Sequence, residues 1–161
     1  MRDLFAQLEQ SALGEFMRSS SLWTYPAVNL LHVFGIAALF GAAMIIDLRL
    51  MGLWRRVPLS AVAQVAVPVA TAGFVVAAVT GVGLLATQAT EYVGNPYLLV
   101  KFSAIALGLV NVAALSAAPA WRVRRERELL PQEQRRLAIY GGVSLAAWTT
   151  AVAAGRLIAY W

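Results

Sequence analysis

Residues 61–87 read AVAQVAVPVATAGFVVAAVTGVGLLAT. The run holds no charged side chain, and it outlasts the stretch of about 20 apolar residues that crosses a bilayer as a helix. Three further runs, 25–46, 96–118 and 137–160, are as long and apolar, with Lys101 and Arg156 the charged residues inside them. In lipid every backbone polar group must be bonded within the protein, so runs of this kind fold as helices. Their even number and the short connections between them predict an all-α fold. It is an integral membrane four-helix bundle of up-down-up-down topology, one transmembrane domain over residues 1–161.

Composition agrees. Charged residues make up 13% of the 161-residue chain, about half the share usual in soluble domains, so the solvent of most of the surface is lipid. There is no cysteine, which excludes disulfides, thiolate metal sites and covalent haem attachment through thioethers. The sequence carries no phosphate-binding loop, no dinucleotide fingerprint and no nucleophile elbow. With one histidine, a catalytic zinc or copper site lacks ligands. No enzymatic activity is legible.

Residues 3–17 repeat Leu4, Phe5, Leu8, Ala12 and Phe16 at helical spacing, with Asp3, Glu9 and Glu15 placed largely elsewhere. This predicts an amphipathic helix lying flat on the membrane surface and ending at Ser19–Ser21. Trp23 and Tyr25 follow where aromatic rings favour the interface. No basic start, apolar core and cleavage site resembling a secretory signal is present, so the first membrane helix is expected to serve as its own insertion signal.

Arginine sets the expected orientation. Arg49, Arg55 and Arg56 follow the first run, and Arg122, Arg124, Arg125, Arg127, Arg135 and Arg136 follow the third. The loop after the second run, TQATEYVGNPY, has none. The positive-inside bias therefore puts both arginine-rich loops in the cytoplasm and both termini outside. In a bacterium this is the inner (plasma) membrane. Basic loops of this kind serve topology and contact with anionic lipid, and no nucleic-acid partner is expected.

Several local signals set boundaries and contacts. Asn95-Pro96 is a helix start, with Asn as cap and Pro in the first turn. Pro68 sits inside the second run and takes the backbone bond from Gln64. Gly73, Ala77 and Gly81 repeat every four residues, as do Ala147, Ala151 and Gly155; such faces let a second helix approach closely. Pro119 breaks the third helix, Arg122–Leu130 could extend as a surface helix, and Pro131 opens the next element. Asp47 and Arg49 are expected to pair at the inner rim.

The chemistry-bearing residues fall at one depth. At 1.5 Å per residue, His32 lies about 10 Å inside the outer end of the first run, and Lys101 about 8 Å inside the start of the third. Arg156 stands about one turn below the outer end of the fourth. Glu91 and Gln88 close the second. Asn29 and Asn111 flank His32 and Lys101 by helical angle. Such polar groups in lipid are functional candidates by default. The expected arrangement is an outward-facing polar pocket, with Gly35 and Gly108 leaving room below. It would bind an anionic ligand or a redox cofactor, haem b or a quinone, through His32, Lys101, Arg156, Asn29, Asn111 and Glu91. His32 is the only candidate metal ligand, so haem would be five-coordinate or shared between protomers. Against this stand two plainer readings. Lys101 and Arg156 can snorkel to the interface, and His32 can be a hydrogen-bonded structural residue. The rival function is a non-catalytic scaffold or accessory subunit, in a homo-oligomer or a membrane complex, associating through the small-residue faces.

One block adds a resemblance. Trp23-x-Tyr25-Pro26, Leu31-His32-x-x-Gly35-x-Ala37 and Asp47-Leu48-Arg49-Leu50-x-Gly52 come first. Tyr92-x-x-Asn95-Pro96, Lys101, Asn111 and Gly155-Arg156-x-Ile158-Ala159-Tyr160 follow in order. The set resembles a bacterial family of four-helix inner-membrane proteins of unknown function, over nearly the whole chain. The resemblance implies fold and membrane location, and no activity. Relatives in that family carry a histidine near the inner end of the third helix, where this chain has Ser116. A looser architectural similarity runs to copper-resistance-type and cytochrome b561-type bundles.

Overall fold

In the computed structural model, residues 2–124, 127 and 129–161 are described. Among them are seven α-helices: α1 (Arg2–Glu9), α2 (Ala12–Ser19), α3 (Thr24–Met51), α4 (Leu59–Thr87), α5 (Pro96–Ala117), α6 (Pro119–Val123) and α7 (Pro131–Leu157). Single 3-10 turns follow at Ala89–Tyr92 and Ile158–Tyr160. Four helices, α3, α4, α5 and α7, are long and apolar enough to cross a bilayer. The fold is an all-α four-helix membrane bundle.

The helices outrun the apolar stretches that predict them. α7 starts at Pro131, well before the apolar residues begin at Leu137, because its first turn is built to start there. Pro131 stands in the first turn, and the Glu133 carboxylate accepts the Leu130 N–H at 2.8 Å. The same carboxylate pairs with Arg127 at 2.8 Å. At the other end of α3 the chain reverses through a glycine. Gly52 has φ 109°, its N–H reaches the Arg49 carbonyl at 3.2 Å, and Leu53 N–H reaches the Leu48 carbonyl at 3.0 Å. These two bonds close the helix as a Schellman motif. α4 runs unbroken through Pro68.

The amino-terminal segment departs from expectation. It is two short helices in place of one, divided at Ser11. The Ser11 hydroxyl oxygen accepts the Gly14 N–H at 3.3 Å and donates its own hydrogen to the Leu8 carbonyl at 2.6 Å. A serine that can cap competes with helix continuation, and here the cap wins. α6 is also shorter than the expected surface helix over Arg122–Leu130; it ends at Val123. Arg125, Glu126 and Glu128 lie outside the described residues.

By internal contacts the chain falls into two compact units, one of the residues up to Leu39 with Thr71–Pro96, the other of Phe40–Ala70 with Tyr97–Trp161. In the first, α3 and α4 meet backbone to backbone. A Cβ at Gly35 would stand 2.7 Å from Ala77 N and 3.0 Å from the Gly73 carbonyl oxygen, and one at Gly73 would stand 2.7 Å from the Gly35 carbonyl oxygen. Only glycine fits either position, and the four-residue spacing in α4 exists for this approach. α2 is tied to the end of α4. Arg18 donates to the carbonyls of Ala86 (3.5 Å) and Thr87 (3.2 Å), supplying a cation to the last turn of a helix. Glu9 Oε2 accepts from Thr90 N (2.8 Å) and Thr90 Oγ1 (2.7 Å).

In the second unit a core cluster joins Ala42, Ile46 and Leu50 of α3 to Leu59, Ala63 and Ala66 of α4. Leu115, Trp121 of α6 and Leu137 of α7 complete it. Leu50 and Leu137 are wholly buried. The expected Asp47–Arg49 ion pair does not form. Two residues apart on a helix, they point about 200° from one another. Arg49 donates through Nε to the Val57 carbonyl at 2.8 Å, and Asp47 bonds to Ser144 of α7.

Candidate functional site

The polar residues expected to share one layer are placed as follows, unit by unit. In the first unit His32 sits on α3, partly buried, with its ring edge over Gly81 of α4; a Cβ at Gly81 would stand 2.9 Å from His32 Cε1. His32 Nδ1 lies 3.0 Å from Thr80 Oγ1. The Thr80 hydroxyl has one hydrogen, and its oxygen lies 2.5 Å from the Val76 carbonyl oxygen, to which it donates. A hydroxyl that donates there can accept from the imidazole, which fits a ring carrying its hydrogen on Nδ1. Asn29 is exposed on α3, and Glu91 is exposed in the 3-10 turn after α4. Beside Glu91, burial first, and then Tyr25 and Glu91, push the Tyr92 phenol above its ordinary range.

In the second unit Lys101 lies partly buried across α7 at Gly155, where a Cβ would stand 3.5 Å from both Cε and Nζ. Among the described residues the one ion pair is Arg127 with Glu133, so no carboxylate stands within 4 Å of the Lys101 ammonium. Arg156 is exposed and turns along its own helix; Nη2 donates to the Tyr160 hydroxyl at 2.6 Å, with the guanidinium 5.0 Å from the ring centre. Asn111 is buried, and its Nδ2 donates to the Tyr140 carbonyl at 3.0 Å. That bond holds α5 to α7.

The room expected beneath the site is taken. A Cβ at Gly108 would stand 3.1 Å from the Trp148 ring, and Gly35 faces the backbone of α4. Both glycines make way for packing and leave no cavity of their own. Among the described residues, no three His, Cys, Asp or Glu side chains gather to hold a metal ion.

Two partners escaped the sequence reading. Thr80 stands one residue before Gly81 on the face that meets α3, so its hydroxyl meets whatever polar group α3 brings. Ser144 is the one hydroxyl of α7 between Tyr140 and Thr149, and it answers Asp47. Depth alone could have paired them; helical phase was also needed. Comparisons of the chain with protein-family models, with curated proteins and with solved structures find no match.

Proposed function

We propose that this chain is an inner-membrane binder of a redox cofactor, haem b, with His32 Nε2 as the protein ligand. The bond from His32 Nδ1–H to Thr80 Oγ1 carries the reading. A ligating histidine characteristically gives its other ring hydrogen to a fixed acceptor, which sets the tautomer and makes the ligand more basic. The same tautomer disfavours a quinone carbonyl, which needs an N–H donor where Nε2 offers a lone pair. With one histidine per chain, the iron is five-coordinate or takes its second ligand from another protomer. The bilayer is the first partner. The motif set resembles that of a four-helix inner-membrane family, and the arginine bias supports both termini outside.

Lys101 supports the broader form of the proposal, an anionic ligand. Its ammonium, half out of water with no carboxylate beside it, attracts a carboxylate or phosphate oxygen. The scaffold reading is the less economical one. It called on the small-residue faces of α4 and α7, and residues of both already pack inside the chain: Gly73 on Gly35, and Ala147 and Ala151 in the buried core.

The test is optical. Protein expressed with haem available and purified in detergent should show the strong band near 400 nm that haem proteins share, about one haem per one or two chains. H32A should lose the band. A colourless wild type leaves the scaffold reading in front.

A further inference from the structure

A second polar cluster lies in the unit of Phe40–Ala70 with Tyr97–Trp161. Asp47 is 3% exposed, on a helix whose surroundings are apolar. Its carboxylate bonds to Ser144, itself 5% exposed, yet Oδ2 is buried with no hydrogen-bond partner. The helices come together closely here; a Cβ at Gly141 would stand 2.8 Å from the Asp47 carbonyl oxygen. Asn111 of α5 reaches the same turn of α7 through its bond to the Tyr140 carbonyl. One turn, Tyr140–Ser144, thus receives an acid from α3 and an amide from α5.

Among the described residues no cation stands within 4 Å of the acid. Arg49 is about 200° round α3 and holds the Val57 carbonyl. The half of α4 in this unit, Leu59–Ala70, has no ionisable residue, and α5 has only Lys101, about 15 Å from Asn111 along the helix, and the Tyr97 phenol, about 21 Å away. α7 offers only the Tyr140 phenol in this stretch. An uncompensated buried carboxylate is costly and is retained in membrane helices where it binds or carries something.

We propose that Asp47 Oδ2, Ser144 Oγ and Asn111 Oδ1 form a site for a small monovalent cation of the sodium class, set among α3, α5 and α7. The donors suit it. All three are hard oxygens, which take alkali and alkaline-earth ions in preference to softer metals. Ser144 gives its hydrogen to the carboxylate and keeps its lone pairs. Asn111 spends its amide hydrogen on Tyr140 and keeps its oxygen as acceptor. With one carboxylate the site is neutral around a single charge; a divalent ion would leave an excess positive charge in the membrane. The inference stands apart from His32 and survives the failure of the haem reading.

The whole chain, purified in detergent, is melted at fixed pH while sodium chloride replaces N-methylglucamine chloride at constant ionic strength. The wild-type midpoint should rise with sodium and saturate, as ligand linkage requires. D47N should melt at one temperature throughout, and N111A and S144A should shift the dependence to higher sodium. A wild type indifferent to sodium, including one that acid stabilises in its place, overturns the proposal. So does a D47N protein that responds as wild type does. Should D47N not fold, S144A decides: a sodium curve superimposed on the wild type overturns the site.

Discussion

At the scale of single residues, His32 has two possible employments with opposite signatures. As a haem ligand, it can be lost without loss of the bundle, since the α3–α4 contact rests on Gly35 and Gly73. H32A should then abolish the absorption band, and the detergent melting midpoint should fall by the haem's linkage together with the lost Thr80 bond. As a purely structural residue it only bonds to Thr80, whose hydroxyl keeps its Val76 partner, and the same change should lower stability by about 0.5–1.5 kcal/mol, the net worth of one hydrogen bond, with no spectral consequence. Melting curves and spectra of the same preparations separate the two. T80V tests the tautomer argument: it removes the acceptor for Nδ1–H, so it should weaken haem retention without removing the ligand itself. Lys101→Ala should weaken an anionic ligand and not eliminate it, since the ammonium supplies charge and no coordination. That His32 is polar and deep was plain from the sequence. That Thr80 is its partner was not, because pairing needs the rotation of α3 against α4, which helices apolar on all sides leave unspecified.

At the scale of elements, the glycines divide into those that packing requires and those it does not. Gly73 has the α3 backbone against it, so Gly73→Ala should force α3 and α4 apart and cost about 1–3 kcal/mol, as overpacking does. Gly142 has nothing within 4 Å of its Cβ position, so Gly142→Ala should be neutral or gain up to about 1 kcal/mol from helix propensity. Detergent melts of the two variants test the contrast. The strap of α1 and α2 carries a pH dependence. Thr90 N–H and O–H, by their hydrogen bonds, hold the Glu9 carboxyl below its ordinary range. A group lowered in the folded state contributes stability that is present above its unfolded value and lost as pH falls through the folded one. The protection factors of amides in residues 2–19, corrected for the slower intrinsic exchange in acid, should therefore fall as pH is lowered while α3 and α4 stay protected, and Glu9→Ala should show the low protection already at neutral pH. Element existence was legible throughout, and Asn95-Pro96 and Pro119 marked true boundaries. Pro131 marked the start of α7 ahead of its apolar residues, whereas the break at Ser11 was missed because capping chemistry, not hydrophobicity, sets it.

At the scale of the whole molecule, large apolar side chains such as Leu30, Val65, Val79, Leu99, Val110 and Ile139 are exposed along all four long helices. A water-soluble chain could not carry so many, so lipid covers these faces, and the remaining question is which way the chain crosses it. The arginine bias predicts the answer, since the positive-inside rule assigns loops rich in it to the cytoplasmic side. Three arginines stand at or just after the end of α3, and six lie between α5 and the first turns of α7, whereas the segment joining α4 to α5 has none. Topology reporters fused after Arg56 and after Arg127 should both signal cytoplasm, and one fused after Gly94 should signal the outside. The proposed orientation bears on function directly, since it would put His32, a few turns from the start of α3, toward the outer leaflet, and Asp47, one turn from its end, toward the cytoplasm. A periplasmic signal at Arg56 or Arg127 would reverse both assignments and require the cofactor proposal to be recast for the cytoplasmic side. Moving the bias is the stronger form of the test. Replacing Arg49, Arg55 and Arg56 with glutamine while adding arginines to the Thr87–Asn95 segment should lower the fraction of correctly inserted chains, because the first helix then reads the opposite instruction from the last.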